Sequence, residues 1–316
     1  NYALDALTSG DYNIAIGLNA AGVNTTGSNN TAIGFETLDA NTTGDNNIAI
    51  GRNCLGSNTT GATNTAIGSN ALAANTTADA NTAVGRSSML SNSTGTSNVA
   101  VGFESLKTNT TANNNTAIGA YSLQVNTTGS ENTAVGQSAL QGNTTGANNI
   151  AVGKNTMLAN TTGTRNIAIG NTAYDASDTE SDNIAIGYAA MTTNTAGGSQ
   201  NVALGNYALD ALTSADNCVA IGHRSQTSTT TGIQNIGVGT QTLQDNTTGQ
   251  ENVAIGHNAL LANTTGNSNV AIGQAALDAN TTGTRNLAIG MNAYTGSDTE
   301  SDNMAIGHSA MTTNTA

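Results

Sequence analysis

The residues best equipped for chemistry in this chain are carboxylates. The stretch SDTESDN occurs twice, Ser177 to Asn183 and Ser297 to Asn303. Each copy alternates three acids with other residues: Asp178, Glu180 and Asp182, then Asp298, Glu300 and Asp302. Oxygen donors at that density suit a hard cation such as Ca2+, but the D-x-D-x-D-G pattern and its distal glutamate are missing. A solvated acidic turn, whose charge discourages sideways sheet pairing, is the plainer expectation. His223, His257 and His308 each follow a glycine and have no second ligand at short spacing, so surface positions are expected rather than a metal column. No C-x-x-C is present, no clustered Ser-His-Asp set, and no glycine loop of the phosphate-binding kind. Neither an enzyme nor a bound cofactor is expected.

What positions these residues is a repeat. The motif NxAIG closes on a glycine at Gly17, Gly34, Gly51 and every seventeenth residue to Gly187, and resumes after one extra residue from Gly205 to Gly307. Eighteen copies result, with the single slip in NTAGGSQN, Asn194 to Asn201, near 197–200. Such an unbroken period overrides a domain count taken from length, so residues 1–316 are expected to form one repeat domain. Counted from the asparagine, the unit reads N-x-A-[IV]-G-x-x-[AST]-L-x-x-N-T-T-G-x-x. Position 3 departs from Ala only at Gly237 and position 1 from Asn only at Cys218.

Glycine, asparagine and threonine at these places make poor helix, because Gly costs about 1 kcal/mol against Ala and the polar side chains compete for the backbone. The unit predicts an all-β, parallel β-solenoid, a β-roll of 17-residue coils. One strand is expected at positions 1 to 5, as in Asn47 to Gly51, and a second at or beside positions 8 to 11, as in Thr37 to Ala40. Stacked about 4.8 Å apart, equivalent residues form ladders, which in one coil comprise Asn30, Ala32, Ile33, Gly34, Leu38, Asn41 and Gly44. An asparagine column of Asn13, Asn30 and Asn47 can link amide to amide. Leucines such as Leu55, Leu72 and Leu106 and the isoleucines Ile16, Ile33 and Ile50 are expected to fill a thin core. Alternation then turns the alanine of position 3 outward, as a flat uncharged face on which copies of the chain pack. The recurring glycine fits a positive φ or a close approach of backbones.

Composition narrows the partners. Lys and Arg number only 7 in a chain of net charge −13, which disfavours nucleic acid, and no apolar run is long enough for a membrane helix. NYALDALTS at the start recurs from Asn206, and MTTNTA at the end matches Met191 to Ala196. These 316 residues are therefore read as a window of a longer chain, with any targeting signal outside it.

The words NIAIG, NTAIG, NVAVG and NVAIG resemble the head repeats of trimeric autotransporter adhesins. The longer NTAIGxxALxxNTTG pattern is similar still more to arrays in phage and prophage tail-fibre proteins. The resemblance covers the whole chain, though the adhesin period is fourteen rather than seventeen. It implies a homotrimer of parallel β-rolls, located extracellularly on a virion tail fibre or a cell surface. The role it implies is that of a fibre shaft of about 85 Å, presenting a distal module that binds a host receptor or glycan.

Other readings bear on the same residues. Threonine columns, Thr42, Thr59 and Thr76 beside Thr43, Thr60 and Thr77, suggest an ice-binding solenoid, but adjacent strand residues point to opposite faces. A self-assembling extracellular filament, joined through its end coils, is a further alternative. Asn41-Thr42-Thr43 is formally a glycosylation sequon, although its recurrence already follows from the turn. Cys54 and Cys218, ten coils apart and so about 50 Å, cannot form a disulfide. The variable positions 6, 7, 10, 16 and 17, including Phe35, Glu36, Arg52, Phe103 and Arg165, are expected to face solvent or neighbouring chains and to be available for carbohydrate contacts.

Overall fold

The structure is a computed structural model that describes residues 2–296 and 298–312. The chain is an all-β parallel β-solenoid, divided into two compact units, Asn1–Thr162 and Gly163–Ala316. Among the described residues the first unit holds nine strands, from β1 (Ile14–Ile16) to β9 (Ile150–Val152), and the second nine more, from β10 (Ile167–Ile169) to β18 (Met304–Ile306). Within each unit consecutive strands pair in parallel, residue for residue: Thr31 with Ile48, Ala32 with Ala49, Ile33 with Ile50. The extra residue leaves this register intact, since Ile184 still pairs with Val202 and Ala185 with Ala203. The turn absorbs it, with Gly197 at φ +106° and open space around it.

Among the described residues each coil has one strand, not two. Positions 8 to 11 are turn, because positions 7 and 9 adopt left-handed backbone, as at Glu36 (φ 50°) and Leu38 (φ 52°), and such residues cannot lie in a strand. These turns are still bonded from coil to coil: Leu38 N donates to Cys54 O at 3.0 Å, Ala40 N to Gly56 O at 3.1 Å and Thr42 N to Thr59 O at 2.9 Å. The irregular backbone is thus satisfied by its neighbour without being a sheet. Position 17 is also left-handed, and asparagine there, as in Asn46 (φ 58°), tolerates it. Thr63 holds the same conformation (φ 59°) with a branched Cβ. Thr63→Asn is expected to stabilise the first unit by about 1 kcal/mol, read as a higher urea midpoint at unchanged slope.

The core overturns one expectation. Ala32, Ala49 and Ala66 are wholly buried, whereas Ile33 and Ile50 are half-buried and Ile67 is exposed on the outer face of the strand. Alternation was read correctly, but its sense is inverted: alanine points in and the isoleucine column is not core. The interior has room only for a methyl at position 3, because the same cross-section holds Leu38 and two asparagines, Asn30 and Asn41, all buried. In the second unit the core is likewise Ala254, Ala271 and Ala288 against Leu260 and Leu277, with Tyr294 in the leucine column.

Two asparagine ladders line the interior, and they work differently. At position 1 the side chain links to backbone: Asn47 N donates to Asn30 Oδ1 at 2.9 Å, while Asn30 Nδ2 donates to Gly44 O at 2.8 Å. The amide-to-amide chain expected there runs chiefly at position 12, where Asn58 Nδ2 donates to Asn41 Oδ1 at 2.9 Å and to Gly61 O at 2.9 Å. The exceptions to the consensus fit this interior. Cys218 replaces the position-1 amide with a thiol that donates to Gly232 O at 3.2 Å. Gly237 lacks the usual methyl because a Cβ would stand 2.6 Å from Ser225 Oγ and 3.2 Å from Nε2 of Gln226, which occupies the leucine column.

Candidate functional site

The strand face opposite the alanines is the main unpartnered surface feature. It is built from positions 2 and 4 of every coil, and in the described strands these are Ile, Val, Leu, Met or Thr without exception. Threonine appears only in the first unit, at Thr31, Thr65, Thr82, Thr116 and Thr133; in the second unit the face is wholly apolar. The outward isoleucines of both units remain open to solvent, Ile118 at 41% and Ile255 at 39% exposure. Three residues across and nine strands high, each unit presents on the order of 400 Å2 of flat face. That is the size of the largest apolar patch on a typical protein, which is often functional. Sequence reasoning missed this face, although one signal was present. Position 3 admits nothing larger than Ala, while positions 2 and 4 exchange Ile, Val, Leu and Met freely, and strict size limits belong to interiors.

The acidic coils do not assemble a cation site. Glu180 turns inward and is nearly buried, accepting from Ser177 Oγ (2.9 Å), from the backbone N–H groups of Asp178 and Thr179 (3.0 Å each) and of Gly197 (3.0 Å). Asp182 turns outward into a two-pronged pair with Arg165, at 2.6 and 2.8 Å. The Arg165 hydrogen bond and charge hold the Asp182 carboxyl below the usual range. Asp302 pairs with Arg285 in the same geometry, at 2.6 and 2.7 Å, and its carboxyl is lowered likewise. Glu300 Oε2 accepts from Thr299 N at 3.2 Å, Asp298 O accepts from Thr281 Oγ1 at 2.7 Å, and Ser297 lies outside the described residues. Among the described residues no three His, Cys, Asp or Glu side chains converge on a point where a metal could sit, and no cavity is present.

Tyr174 replaces leucine in the same coil and is buried; its hydroxyl accepts from Asn183 Nδ2 at 2.6 Å, and burial pushes its pKa up. The phenol stands in for the missing position-12 asparagine, whose place Ser177 occupies. This coupling of Tyr174, Ser177 and Glu180 was not read from the sequence. Its only trace there is that SDTESDN and the tyrosine recur together at Tyr294.

The remaining candidates find ordinary places. Cys54 and Cys218 are free and buried, and burial pushes their thiols up to about 12 and about 11, which leaves them unreactive. Asn41 and its equivalents are buried with their amides inside the ladder, so a folded coil presents no glycosylation acceptor there. Of the threonine columns, Thr42 Oγ1 is bound to Thr59 O at 3.1 Å while Thr43 is exposed, so the two do not form paired rows. His223, His257 and His308 are exposed surface residues following the glycine. No helix among the described residues is long and apolar enough to cross a membrane.

Fold and surface together define a β-solenoid repeat protein whose outstanding exterior feature is an uncharged strand face. No protein-family model matches the chain, and no curated protein matches it either.

Proposed function

We propose that the chain is a structural shaft: a homotrimeric β-solenoid segment of a phage tail fibre or a related surface adhesin, extracellular, holding a distal receptor-binding part away from the particle or cell. The observation that carries this reading is the Ile, Val and Thr face that positions 2 and 4 form in each unit. An uncharged, mainly apolar face is stabilised by being covered, and burying the remaining two-fifths of an isoleucine such as Ile118 or Ile255 contributes about 1 kcal/mol. A second copy suits it best, because the matching unit of another chain, with the same rise, meets the face of each unit coil for coil. The Ala column, first expected to be the packing face, is inside the coil and plays no part. The NxAIG resemblance supplies the choice of three chains and of a fibre.

Sedimentation equilibrium tests the reading. The unaltered chain is expected at the mass of three copies. Ile118→Lys combined with Ile255→Lys places one charge on the face of each unit and is expected to yield monomers with an unchanged far-ultraviolet spectrum. A monomeric unaltered chain overturns the shaft, and thermal hysteresis in that monomer would assign the face to ice. A mass that keeps growing with concentration would point instead to an end-to-end filament.

A further inference from the structure

Chemistry-bearing side chains are not spread evenly over this exterior. Of nine aromatic residues, six (Tyr2, Phe35, Phe103, Tyr121, Tyr188 and Tyr207) occupy positions 6 and 7, directly after the turn glycine. All three histidines stand there too, together with Arg52, Arg86, Lys154 and Arg224 among the seven basic residues. Positions 6 and 7 are two of seventeen, so the concentration is specific to this edge.

The geometry groups them. In the first unit Phe103 and Tyr121, on successive coils, meet edge to face at 5.3 Å, and the Arg86 guanidinium lies 5.6 Å from the Phe103 centroid. Beside the rings runs a pre-ordered polar chain. Lys107 Nζ is 3.0 Å from Glu104 Oε1, Gln124 Nε2 donates to Glu104 Oε2 at 2.7 Å, and Gln141 Nε2 donates to Gln124 Oε1 at 2.7 Å. In the second unit Tyr188 and Tyr207 meet edge to face at 5.4 Å, Tyr207 and His223 at 6.2 Å, and the Arg224 guanidinium lies 5.9 Å from the Tyr207 ring.

We propose that each of these clusters is a binding site for a linear glycan of uncharged pyranoses, lying along the coil axis. Sugar rings present C–H faces that stack on aromatic rings, and hydroxyls that pair with carboxylate, amide and guanidinium groups. In the first unit both sets of groups stand side by side, already held in place; in the second, the Arg224 guanidinium and the His223 imidazole accompany the rings. Successive coils rise about 4.8 Å, close to the length of one pyranose in an extended chain, so a ring and its polar neighbours on two or three coils meet consecutive sugars. A protein partner fits less well, since binding anchors in such interfaces sit in dry apolar surroundings and these rings are bordered by charge and amides. A polyanion is disfavoured by the net charge of −13. This site uses none of the strand-face residues and stands independently of the self-association proposed above.

Native affinity electrophoresis of the whole chain tests it, in gels containing soluble mixed-linkage β-glucan, galactomannan or glycol chitin, with heparin as an acidic comparison. Retardation by at least one neutral polymer is expected. In the first unit Phe103→Ala with Tyr121→Ala, and in the second Tyr188→Ala with Tyr207→Ala, are each expected to weaken it, and the four together to reduce affinity by at least about tenfold. All these residues lie outside the core ladders, and unchanged mass and far-ultraviolet spectra of the variants confirm that fold and assembly are kept. No retardation by any neutral polymer, retardation by heparin alone, or retardation unaltered in the fourfold variant each overturns the proposal.

Discussion

Gly102→Ala is expected to destabilise the first unit by about 3–5 kcal/mol, the sum of backbone strain and overpacking. Gly102 has φ +140°, which L side chains rarely adopt, and a Cβ there would stand 2.5 Å from Gly119 O and 2.6 Å from Gly119 C. Neither contact can be relieved by a rotamer change, because both atoms are backbone of the next coil. Gly95→Ala is the informative comparison. Position 15 has no positive φ and carries Ala78 and Ala112 in other coils of the same unit, but a Cβ at Gly95 would stand 2.3 Å from Ala112 O, so the overpacking part alone, about 1–3 kcal/mol, is expected without the backbone strain. Urea denaturation followed by circular dichroism gives the two values. Hydrogen exchange should place the loss of protection in the coils flanking Gly102, since each coil contacts only its neighbours. Equal effects of the two substitutions would mean that the turn conformation at position 5 is not the reason for its invariance.

Asn109→Ala is expected to cost about 3 kcal/mol, from the loss of a buried donor and acceptor that serve three hydrogen bonds. Asn109 Nδ2 donates to Asn92 Oδ1 at 2.8 Å and to Ala112 O at 3.1 Å, and its Oδ1 accepts from Asn126 Nδ2 at 3.0 Å. All three asparagines are wholly buried, so no water replaces the missing partner. Asn109→Asp separates loss of size from loss of the donor. The carboxylate would face Asn92 Oδ1 and Ala112 O, both acceptors, so its folded-state pKa should lie above the unfolded one. The variant should therefore be most stable at low pH and lose stability as pH rises through the carboxylate range. If Asn109→Ala is neutral by urea midpoint, the ladder is not what holds successive coils together.

These two residues also mark how far the sequence was legible. Gly102 was singled out by its recurrence, and the reason offered for it, a positive φ with close backbone approach, is what the turn shows. Asn109 opens the NTTA turn of its coil, a variant of NTTG, whose asparagine was placed in a ladder without its bonds being known. The amide-to-amide pattern was assigned to position 1, yet there the acceptor oxygen is taken by the next coil's backbone N–H. Which bond an amide makes depends on where the chain turns, and the turn positions were read partly as strand. Left-handed backbone at Leu106 (φ 50°) and its column left no mark that sequence reasoning could use, since leucine is not a residue that usually adopts it. The acidic coils show the same limit in their side chains. Asp178, Glu180 and Asp182 look like one cluster on paper, but alternate residues of a turn diverge, and Glu180 is drawn into the interior by N–H donors, among them that of Gly197, seventeen residues away.

The sequence alone determined the period, the 17-residue coil as the structural unit, the parallel in-register stack and the place of the turn glycine. It could do so because a unit too small to bury its own apolar residues, repeated without change of length, is satisfied only by stacking on its copies. Only the tertiary structure decided which side of the strand is the inside. Alternation is symmetric between the two faces, and the choice rests on how much volume remains once the leucine and both asparagine columns have converged on the coil's centre. That volume is one methyl group per coil, so alanine enters, and the larger Ile and Val side chains are left on the outside, facing whatever covers them.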